Sequence, residues 1–405
     1  MILHPKRYGW LLLLALATAC GAGQTAQTAL QEEPKGQLPE GAVPFAYRHH
    51  LYFDAVVRDS IPARLIFDSG NTHLLLDSTF YAEKFGRSGT LRKSMLGGAG
   101  GGMELASIDA SGWSYRIGDH AMQEAMAVVL NLRKIVGNAA DGMFGMTFMQ
   151  GRKVSFNYAD GYMELLPADF QPDSSYHTIP CRWLDAGKMR LTIPMRLTFA
   201  DQSTLDGEFL VDMGASSTLV LGRGAAPKIR PELLANAPKM HFTVGGIGGS
   251  STEHILALDG VEVGGFRLPA MHLFYSNNTQ GSLADTTHAG LVGNALLERF
   301  DVIFDFAACN MYLRPNRNFD RPFPTSNTGF ALTPYADHWV VNGLQEESAA
   351  ERSGLRRGDK VLTINGLTTA ELTPNELDKQ IAGKQSWCLV VKRNGRQLEI
   401  KFDQE

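Results

Sequence analysis

The sequence predicts an all-β dominated fold in which two similar β lobes precede a small α+β barrel. Three observations lead to this prediction. From residue 41 onward, short apolar runs alternate with turn residues such as Gly, Asp and Asn, which is typical of β structure. Several blocks of sequence recur in the same order in two halves of the chain. A Pro-rich segment then separates these halves from a C-terminal region of different character.

The first twenty residues are similar to an export signal. A basic start at residues 4–7 precedes an apolar run, residues 10–19, that is too short to cross a bilayer. The following Cys20 completes a Leu-Ala-Thr-Ala-Cys segment that resembles the lipobox of bacterial lipoproteins, which implies lipidation of Cys20; an ordinary secretory cut near Ala19 is the alternative. Residues 21–40 are predicted to be a flexible tether. We expect an exported protein of the cell envelope, membrane-anchored as a lipoprotein and facing the periplasm or the surface.

Composition excludes several function classes. The 405 residues suffice for two or three domains, and 44% hydrophobic with 20% charged residues is ordinary for a globular protein. The net charge of -4 does not indicate the basic surface that is typical of proteins that bind nucleic acid. No spacing of Cys and His predicts a metal site, and no organic cofactor is implied. The 42 glycines exceed the average share and are concentrated in the motifs described below.

Three cysteines follow Cys20. Cys181 and Cys309 are able to pair in an oxidising compartment, and the sequence leaves that pairing open. Cys388 lies in an apolar run and is predicted to be a buried strand residue.

An internal repeat defines the two lobes. Each of three blocks in the first half has a counterpart in the second half, and the three pairs are 65–70 with 209–214, 96–101 with 244–249, and 142–158 with 290–306. The last two pairs share one offset, and the first differs from it by a small length change. We therefore predict an N-terminal lobe over residues 41–170 and a C-terminal lobe over residues 171–320.

The remaining chain is predicted to be a linker and a separate module. Residues 321–327 are rich in Pro and polar turn residues. Residues 328–405 contain a short helix that ends near Gly354 and a strand that leads into the Asn365-Gly366 turn, with two more strands at the end.

Each predicted lobe carries one aspartate at the end of an apolar strand, directly before a turn. Asp68 and Asp212 occupy matching places in the repeat, so a two-fold arrangement of the lobes would bring them together. Two adjacent carboxyls cannot both ionise, and one then serves as an acid while the other serves as a base. Such a pair is able to activate water against an amide carbonyl. The alternative is that each Asp-x-Gly is a structural surface turn.

With these motifs, the two lobes resemble aspartic peptidases of the pepsin and retropepsin type, with both halves in one chain. The resemblance covers residues 45–315 and is carried by residues 68–72 and 212–217, together with the later apolar-Gly motifs. It implies a bilobal β fold, an active site between the lobes, catalysis by Asp68 and Asp212, and a polypeptide substrate bound in extended form.

The resemblance also implies a set of residues that support the active site. They are Ser69, Gly70, Thr72, Met213, Gly214 and Ser216. Met213 departs from the family pattern, which has Thr or Ser there; that hydroxyl joins a hydrogen-bond lattice beneath the two aspartates.

Two glycine-rich segments are predicted to be hairpin flaps that close over substrate. The alternative interpretation is that they are two flexible loops. The flap residues are Gly97, Gly98, Gly100, Gly245, Gly246 and Gly248.

Residues 328–405 resemble a PDZ domain of the type attached to bacterial envelope proteases. The carrying motif runs from residue 349 to residue 366 and contains Ser-Gly-Leu, Gly-Asp and Ile-Asn-Gly. The resemblance implies that a peptide or protein C-terminus binds at a loop and strand made by Thr328, Gly329, Phe330 and Leu332. Thr328 stands where an apolar residue is usual. The alternative to peptide binding is a PDZ domain that only packs against the lobes.

These observations favour an aspartic-type endopeptidase with a PDZ domain for peptide binding. The competing hypothesis is a non-catalytic peptide-binding envelope lipoprotein, in which Met213 has ended turnover and the cleft only holds ligands.

Overall fold

The structure, a computed structural model, describes residues 38–86, 91–243, 246–323, 328–335, 338–369, 372 and 386–404. Strands dominate these residues, as predicted. We use "first lobe", "second lobe" and "C-terminal module" for the parts containing strands β1–β13, β14–β25 and β26–β31.

Thirteen strands lie in the described part of the first lobe. From β1 to β13 they are Val43–Pro44, Ala46–Tyr47, Leu51–Val57, Ile61–Asp68, Leu74–Asp77, Arg92–Gly97, Met103–Asp109, Trp113–Ile117, His120–Glu124, Ala127–Leu130, Gly142–Gly145, Lys153–Asn157 and Tyr162–Leu166.

The second lobe contributes β14–β25 and the module β26–β31. The second-lobe strands are His177–Pro180, Arg182–Trp183, Leu191–Phe199, Thr204–Val211, Leu219–Leu221, Lys239–Phe242, Ser251–Val263, Phe266–Leu268, Met271–Ser276, Gly290–Val292, Phe300–Asp305 and Asn310–Pro315. The module strands are Phe330–Pro334, Trp339–Gln345, Lys360–Ile364, Leu367–Thr368, Ser386–Arg393 and Arg396–Asp403.

Helices in the described part are short. The α-helices α1–α6 are Ser78–Phe85, Arg133–Val136, Met146–Met149, Pro231–Ala235, Asn294–Leu297 and Ala349–Arg352, and two 3-10 helices are Arg223–Lys228 and Ser282–Ala284. No helix among them is long and apolar enough to cross a membrane.

A six-stranded sheet joins the two lobes in the order β1-β13-β12-β24-β25-β14. At its centre β12 and β24 pair antiparallel, and Ser155 faces Ile303, its own counterpart in the sequence repeat. On either side of this pair Val154 faces Phe304 and Phe156 faces Val302, which are again repeat counterparts exchanged between lobes. The two copies of the repeat are therefore related by an approximate two-fold axis through the middle of this sheet.

The aspartate strand of each lobe pairs with the strand that carries the later glycine motif. β4 runs parallel to β11, so that Asp68 lies beside Gly145. In the second lobe β17 runs parallel to β23, and the main-chain N–H of Asp212 donates to Val292 O at 3.0 Å. Because parallel neighbours end at the same edge of a sheet, the glycine motifs lie next to the aspartates.

One hydrophobic core runs through both lobes, and the C-terminal module has a core of its own. The module core includes Trp387, against which the ring of Phe330 packs at a centroid distance of 5.3 Å. Helix α6 begins after Ser348, which caps it, and ends at Arg352, shortly before Gly354 with φ +92°.

The module sheet is continuous with the second-lobe sheet. β27 pairs with β26 along its length, and its other edge pairs with β28 at one end and with β19 of the second lobe at the other. The C-terminal module is thus hydrogen-bonded to a strand of the second lobe.

The prediction for Cys388 is wrong. The residue lies in β30, but it is half-buried and its thiol contacts Glu399. Alternate residues of a strand face opposite sides, and the neighbours Trp387 and Leu389 fill the core instead. Cys181 and Cys309 are free thiols whose main chains are hydrogen-bonded at 2.9 Å, and their pairing stays open.

Candidate active site

Asp68 and Asp212 each end an apolar strand and begin a tight turn. Gly70 N–H donates to Asp68 Oδ1 at 2.8 Å, and Gly214 N–H donates to Asp212 Oδ1 at 3.0 Å. The turns continue in parallel, because the N–H groups of Asn71 and Ala215 donate to the main-chain oxygens of Asp68 and Asp212. Identical local bonding in the two lobes follows from the repeated Asp-x-Gly sequence.

The structure brings the two aspartates into contact. Their carboxyls share a hydrogen bond, and each lies over the glycine of the opposite motif. A Cβ atom added to Gly214 would lie 2.2 Å from Asp68 Cγ, and one added to Gly70 would lie 3.0 Å from Asp212 Oδ1. Gly214 therefore needs glycine for this close approach, whereas a side chain at Gly70 would require the carboxyls to shift by a few tenths of an ångström.

Burial raises the pKa of both carboxyls above the ordinary range of aspartate, and the negative charge of Asp212 raises the pKa of Asp68 further. Hydrogen bonds from the glycine N–H groups act in the opposite direction. The pair therefore keeps one proton at a pH where an exposed aspartate would be ionised. Both residues are half-buried by their exposed surface.

Ser69 connects the lobes beneath the carboxyls. Its buried hydroxyl donates to Val211 O at 2.8 Å and accepts from Met213 N–H at 2.9 Å. Met213 is fully buried and has no hydroxyl with which to return these bonds. The lattice is therefore asymmetric. Of the other predicted supporting residues, Thr72 is half-buried and Ser216 is exposed.

The two predicted flaps meet at their tips. β6 and β7 form the first hairpin and β19 and β20 the second. Gly100 N–H donates to Ile247 O at 2.9 Å, and Gly101 N–H donates to Ser250 O at 3.1 Å. A Cβ atom on Gly98 would lie 2.6 Å from Ile247 Cβ, so the contact depends on missing side chains.

Each flap tip packs on the opposite lobe. Ala99 of the first hairpin contacts a second-lobe cluster that contains Leu210 and Leu291, close to Asp212. Ile247 of the second hairpin contacts a first-lobe cluster that contains Ile66, close to Asp68. Gly97, Gly98, Gly100, Gly246 and Gly248 lie in this region, whereas Gly245 and the predicted lipidation site Cys20 lie outside the described residues.

Glu253 is a buried carboxyl in the second flap hairpin. It lies on β20 opposite Met240 and accepts a hydrogen bond from Ser251 Oγ at 3.1 Å. Burial raises its pKa to about 7, against the weaker effect of Ser251. The unfolded chain therefore ionises Glu253 at a lower pH than the folded protein does.

We expect Glu253→Gln to remove part of the pH dependence of stability. In the wild type, the free energy of unfolding falls as pH rises from the ordinary glutamate pKa to about 7, because only the unfolded chain releases this proton. The variant should match the wild type at pH 4 and exceed it at pH 8 by up to roughly 3 kcal/mol. Urea unfolding at both pH values measures this, with exposed Glu83→Gln as the control. An equal difference at the two pH values would contradict the role of this proton.

Sequence reasoning missed His50 at the site. This histidine precedes β3 and hydrogen bonds the backbone of Gly214 across the lobe boundary. Burial lowers its pKa to about 4, with a further contribution from His49. Its Nδ1 atom is buried and has no hydrogen-bond partner within the described ranges. No sequence motif marks a histidine whose hydrogen bond at the site is to the main chain, and the register of β3 beside β4 places it there.

In the C-terminal module, the predicted peptide-binding residues form the start of β26. Gly329 has φ +76°, and its carbonyl accepts from Gln345 N–H at 2.8 Å. Thr328 Oγ1 donates to Phe330 O at 2.8 Å. The ring of Phe330 is buried in the module core and Leu332 packs against that core, so the main chain is what β26 presents at its outer edge. No strand pairs with that edge in the described part of the chain.

Comparison with known proteins identifies this module. Residues 318–392 match the family model "PDZ domain". Residues 318–392 form a PDZ domain. Over 85 residues the chain is 34% identical to PDZ domain-containing protein 7 of Pongo abelii and 33% identical to that of Homo sapiens. Each match covers 20% of this chain, and the chain spans 8% of the length of these curated relatives.

The two lobes have a structural neighbour. An aspartic proteinase from Irpex lacteus aligns with a TM-score of 0.42 and 14% sequence identity, covering 69% of this chain and 98% of that chain. Because both values are low, the likeness assigns no activity to this chain.

Proposed function

We propose that the two lobes form an aspartic-type endopeptidase and that the PDZ domain binds a peptide or protein C-terminus. The observation that carries the first part is the contact between the carboxyls of Asp68 and Asp212, which are held by matching turns from the two lobes. Paired carboxyls of this kind are suited to general acid and base catalysis by one site.

In the proposed reaction, a water molecule between the carboxyls attacks the carbonyl carbon of a peptide bond. One carboxyl of the pair, in its ionised form, accepts a proton from that water, and the other donates its proton to the carbonyl oxygen. The tetrahedral intermediate then collapses. The C–N bond breaks as the first carboxyl passes its new proton to the leaving nitrogen, and a hydroxyl of the intermediate returns a proton to the second carboxyl. The products are a carboxyl and an amine, and the pair again holds one proton.

The flaps support an extended polypeptide as the substrate. Their glycine-rich tips lie close to the clusters beside the two aspartates, and hairpin strands of this kind would bond an inserted extended chain through their main chain. Opening of these tip contacts would admit the chain, and closure would exclude water. For localisation, we propose export to the cell envelope and anchoring through a lipid on Cys20, on the basis of the residues before position 21.

One observation favours a second candidate, a protein that holds peptides without cleaving them. The side chain of Met213 is buried beneath the pair and provides no hydroxyl for the lattice. If this asymmetry prevented the carboxyls from sharing a proton, the cleft and the PDZ domain would still be able to bind ligands.

A cleavage assay tests the proposal. The purified chain is incubated with a reduced, unfolded protein between pH 3 and pH 7, with and without pepstatin, and new termini are found by mass spectrometry. We expect internal cleavage that pepstatin blocks. Absence of cleavage across this range, with peptide binding retained in a fluorescence titration, would favour the second candidate. Cleavage that pepstatin leaves unchanged would contradict the aspartic mechanism.

A further inference from the structure

Asn294 lies beneath the carboxyl pair and connects the two lobes. It begins helix α5, and its side chain is fully buried. Its Nδ2 group donates to Met213 O at 2.5 Å and to His49 O at 3.0 Å, and its Oδ1 accepts from Tyr158 Oη at 2.7 Å. Both amide hydrogens and the amide oxygen are therefore used, and two of the three bonds reach the first lobe.

Comparison of the two halves of the repeat indicates that the hydrogen bonds of Asn294 stand in for one that Met213 is unable to make. The counterpart of Asn294 in the first lobe is Met146, and the two backbones are alike, since Met146 N–H donates to Asn71 O and Asn294 N–H donates to Ala215 O. Met213 in turn is the counterpart of Ser69. Each lobe thus has one polar residue and one methionine at these two positions, in opposite order. The hydrogen-bonding group absent at position 213 is present at position 294.

From this complementary exchange we propose that Asn294 is a positioning residue for the carboxyl pair. By binding the main-chain oxygen of Met213, the residue next to Asp212, it fixes the second motif against the first lobe, as a hydroxyl at position 213 would do. The proposal rests on the proposed peptidase function. Positioning groups of this kind change catalysis through small displacements of the reacting groups.

Substitutions at two sites test this proposal together. Asn294→Ala is expected to lower kcat for peptide cleavage about 10- to 100-fold with KM changed less than about 3-fold. The same substitution should cost less than about 3-fold when Met213→Thr supplies a hydroxyl, because the lattice then has a second connection. Tyr158→Phe, which removes one hydrogen bond, keeps the ring in place and should follow the same pattern with a smaller loss.

The outcomes separate this proposal from the proposed function. Equal losses of kcat with and without Met213→Thr would overturn the role of Asn294 and leave the peptidase assignment intact. A wild-type chain that cleaves nothing would overturn both. Circular dichroism and thermal melting identify any variant that has lost its fold, and for such a variant Tyr158→Phe decides the result.

A different observation concerns the PDZ domain and the second flap. β27 pairs antiparallel with β19, one arm of that flap, and Thr243 N–H donates to Asn342 O at 2.8 Å. The ring of Phe242 occupies the space that a side chain at Gly343 would need, since a Cβ atom there would lie 2.8 Å from Phe242 Cε1. Glu346 Oε1 also lies 3.4 Å from His241 Nε2.

The other edge of β27 carries β26, the strand that would receive a peptide. A bound C-terminus, β26, β27 and β19 would then be successive strands of one sheet. β26 also contacts helix α2 of the first lobe, and Ile135 of that helix belongs to the cluster that receives Ile247 of the flap. The geometry points to an effector site at β26, at which a peptide with a free C-terminus changes the flap equilibrium and hence the cleavage rate.

The test uses an amidated fluorogenic substrate with two pools of random decapeptides, one with free carboxyl termini and one amidated. Rates are taken from the first few per cent of turnover, because cleavage of the amidated peptides releases free carboxyl termini; within that window the pools differ only in the carboxylate. We expect the free-carboxylate pool to change kcat/KM at least about 5-fold relative to the amidated pool. Phe242→Ala should reduce this effect to less than about 2-fold, whereas Leu398→Ala, at an exposed position on β31, should retain it.

Three results overturn this coupling. They are equal rates with both pools despite binding of the carboxylate pool, an effect that survives Phe242→Ala, and a carboxylate pool that does not bind. The last result also contradicts peptide binding by the PDZ domain, whereas the first two leave it and the peptidase assignment unchanged.

Discussion

Replacing either Asp68 or Asp212 with asparagine is expected to lower kcat for peptide cleavage about 10⁴-fold, at the upper end of what general acid and base catalysis contributes. An amide neither accepts the proton from water nor donates a carboxyl proton, so the shared proton of the pair is lost in both variants. The substitution keeps the shape of the side chain, and the turn bonds from Gly70 and Gly214 can still form on its oxygen. Steady-state kinetics on one peptide measures the effect.

The matched control is Asp59→Asn, because Asp59 is an exposed aspartate in the turn before β4. It should retain wild-type kcat and KM. If Asp68→Asn or Asp212→Asn also retained activity, the carboxyl pair would not be the catalytic site, and the groups responsible would lie elsewhere in the cleft.

The second large effect is expected for Gly214→Ala. The added Cβ atom would lie 2.2 Å from Asp68 Cγ and within 2.5 Å of both carboxyl oxygens, so that the Asp68 side chain must move. A displacement of this size is expected to lower kcat about 10²-fold or more. Gly70→Ala should be milder, because its nearest contacts with the carboxyls are 3.0 to 3.1 Å and need shifts of only a few tenths of an ångström.

This order of effects is a sharp test, because the sequence repeat alone makes the two glycines equivalent. Gly187→Ala, at an exposed glycine outside the site, is the control for the general cost of the substitution. Equal losses for Gly70→Ala and Gly214→Ala would contradict the asymmetric packing of the pair. Thermal melting of each variant shows whether lost activity reflects lost fold.

Much of the site follows from the sequence because it depends on repeated local chemistry. An Asp-x-Gly turn after an apolar strand fixes the carboxyl through a local hydrogen bond, and two such turns at matching places in a repeat predict a two-fold contact. In the structure, Ser155 pairs with Ile303, its counterpart in the repeat, as a two-fold relation between the lobes requires. The PDZ domain could also be predicted from the sequence, because its glycine turns and strands lie close together along the chain.

Other features arise from contacts between distant segments and leave no local signal. Asn294 reaches His49 and Tyr158 across the lobe boundary, and these hydrogen bonds are apparent only from the fold. The pairing of β19 with β27 likewise joins a flap to a domain about 100 residues later in the chain, and neither strand predicts its partner. The prediction for Cys388 was wrong for a simpler reason, since an apolar run does not reveal which alternate residues face the core.

If Asp68 and Asp212 act as one carboxyl pair that shares a proton, the pH dependence of kcat/KM tests this most directly. We expect a bell-shaped profile. Activity should fall at low pH when both carboxyls are protonated, and again at high pH when the pair loses its shared proton. Because burial and the charge of Asp212 raise the pKa of Asp68, the upper limb should lie above the ordinary aspartate range. A profile without either limb, or one that Asp212→Asn leaves unchanged, would contradict the account.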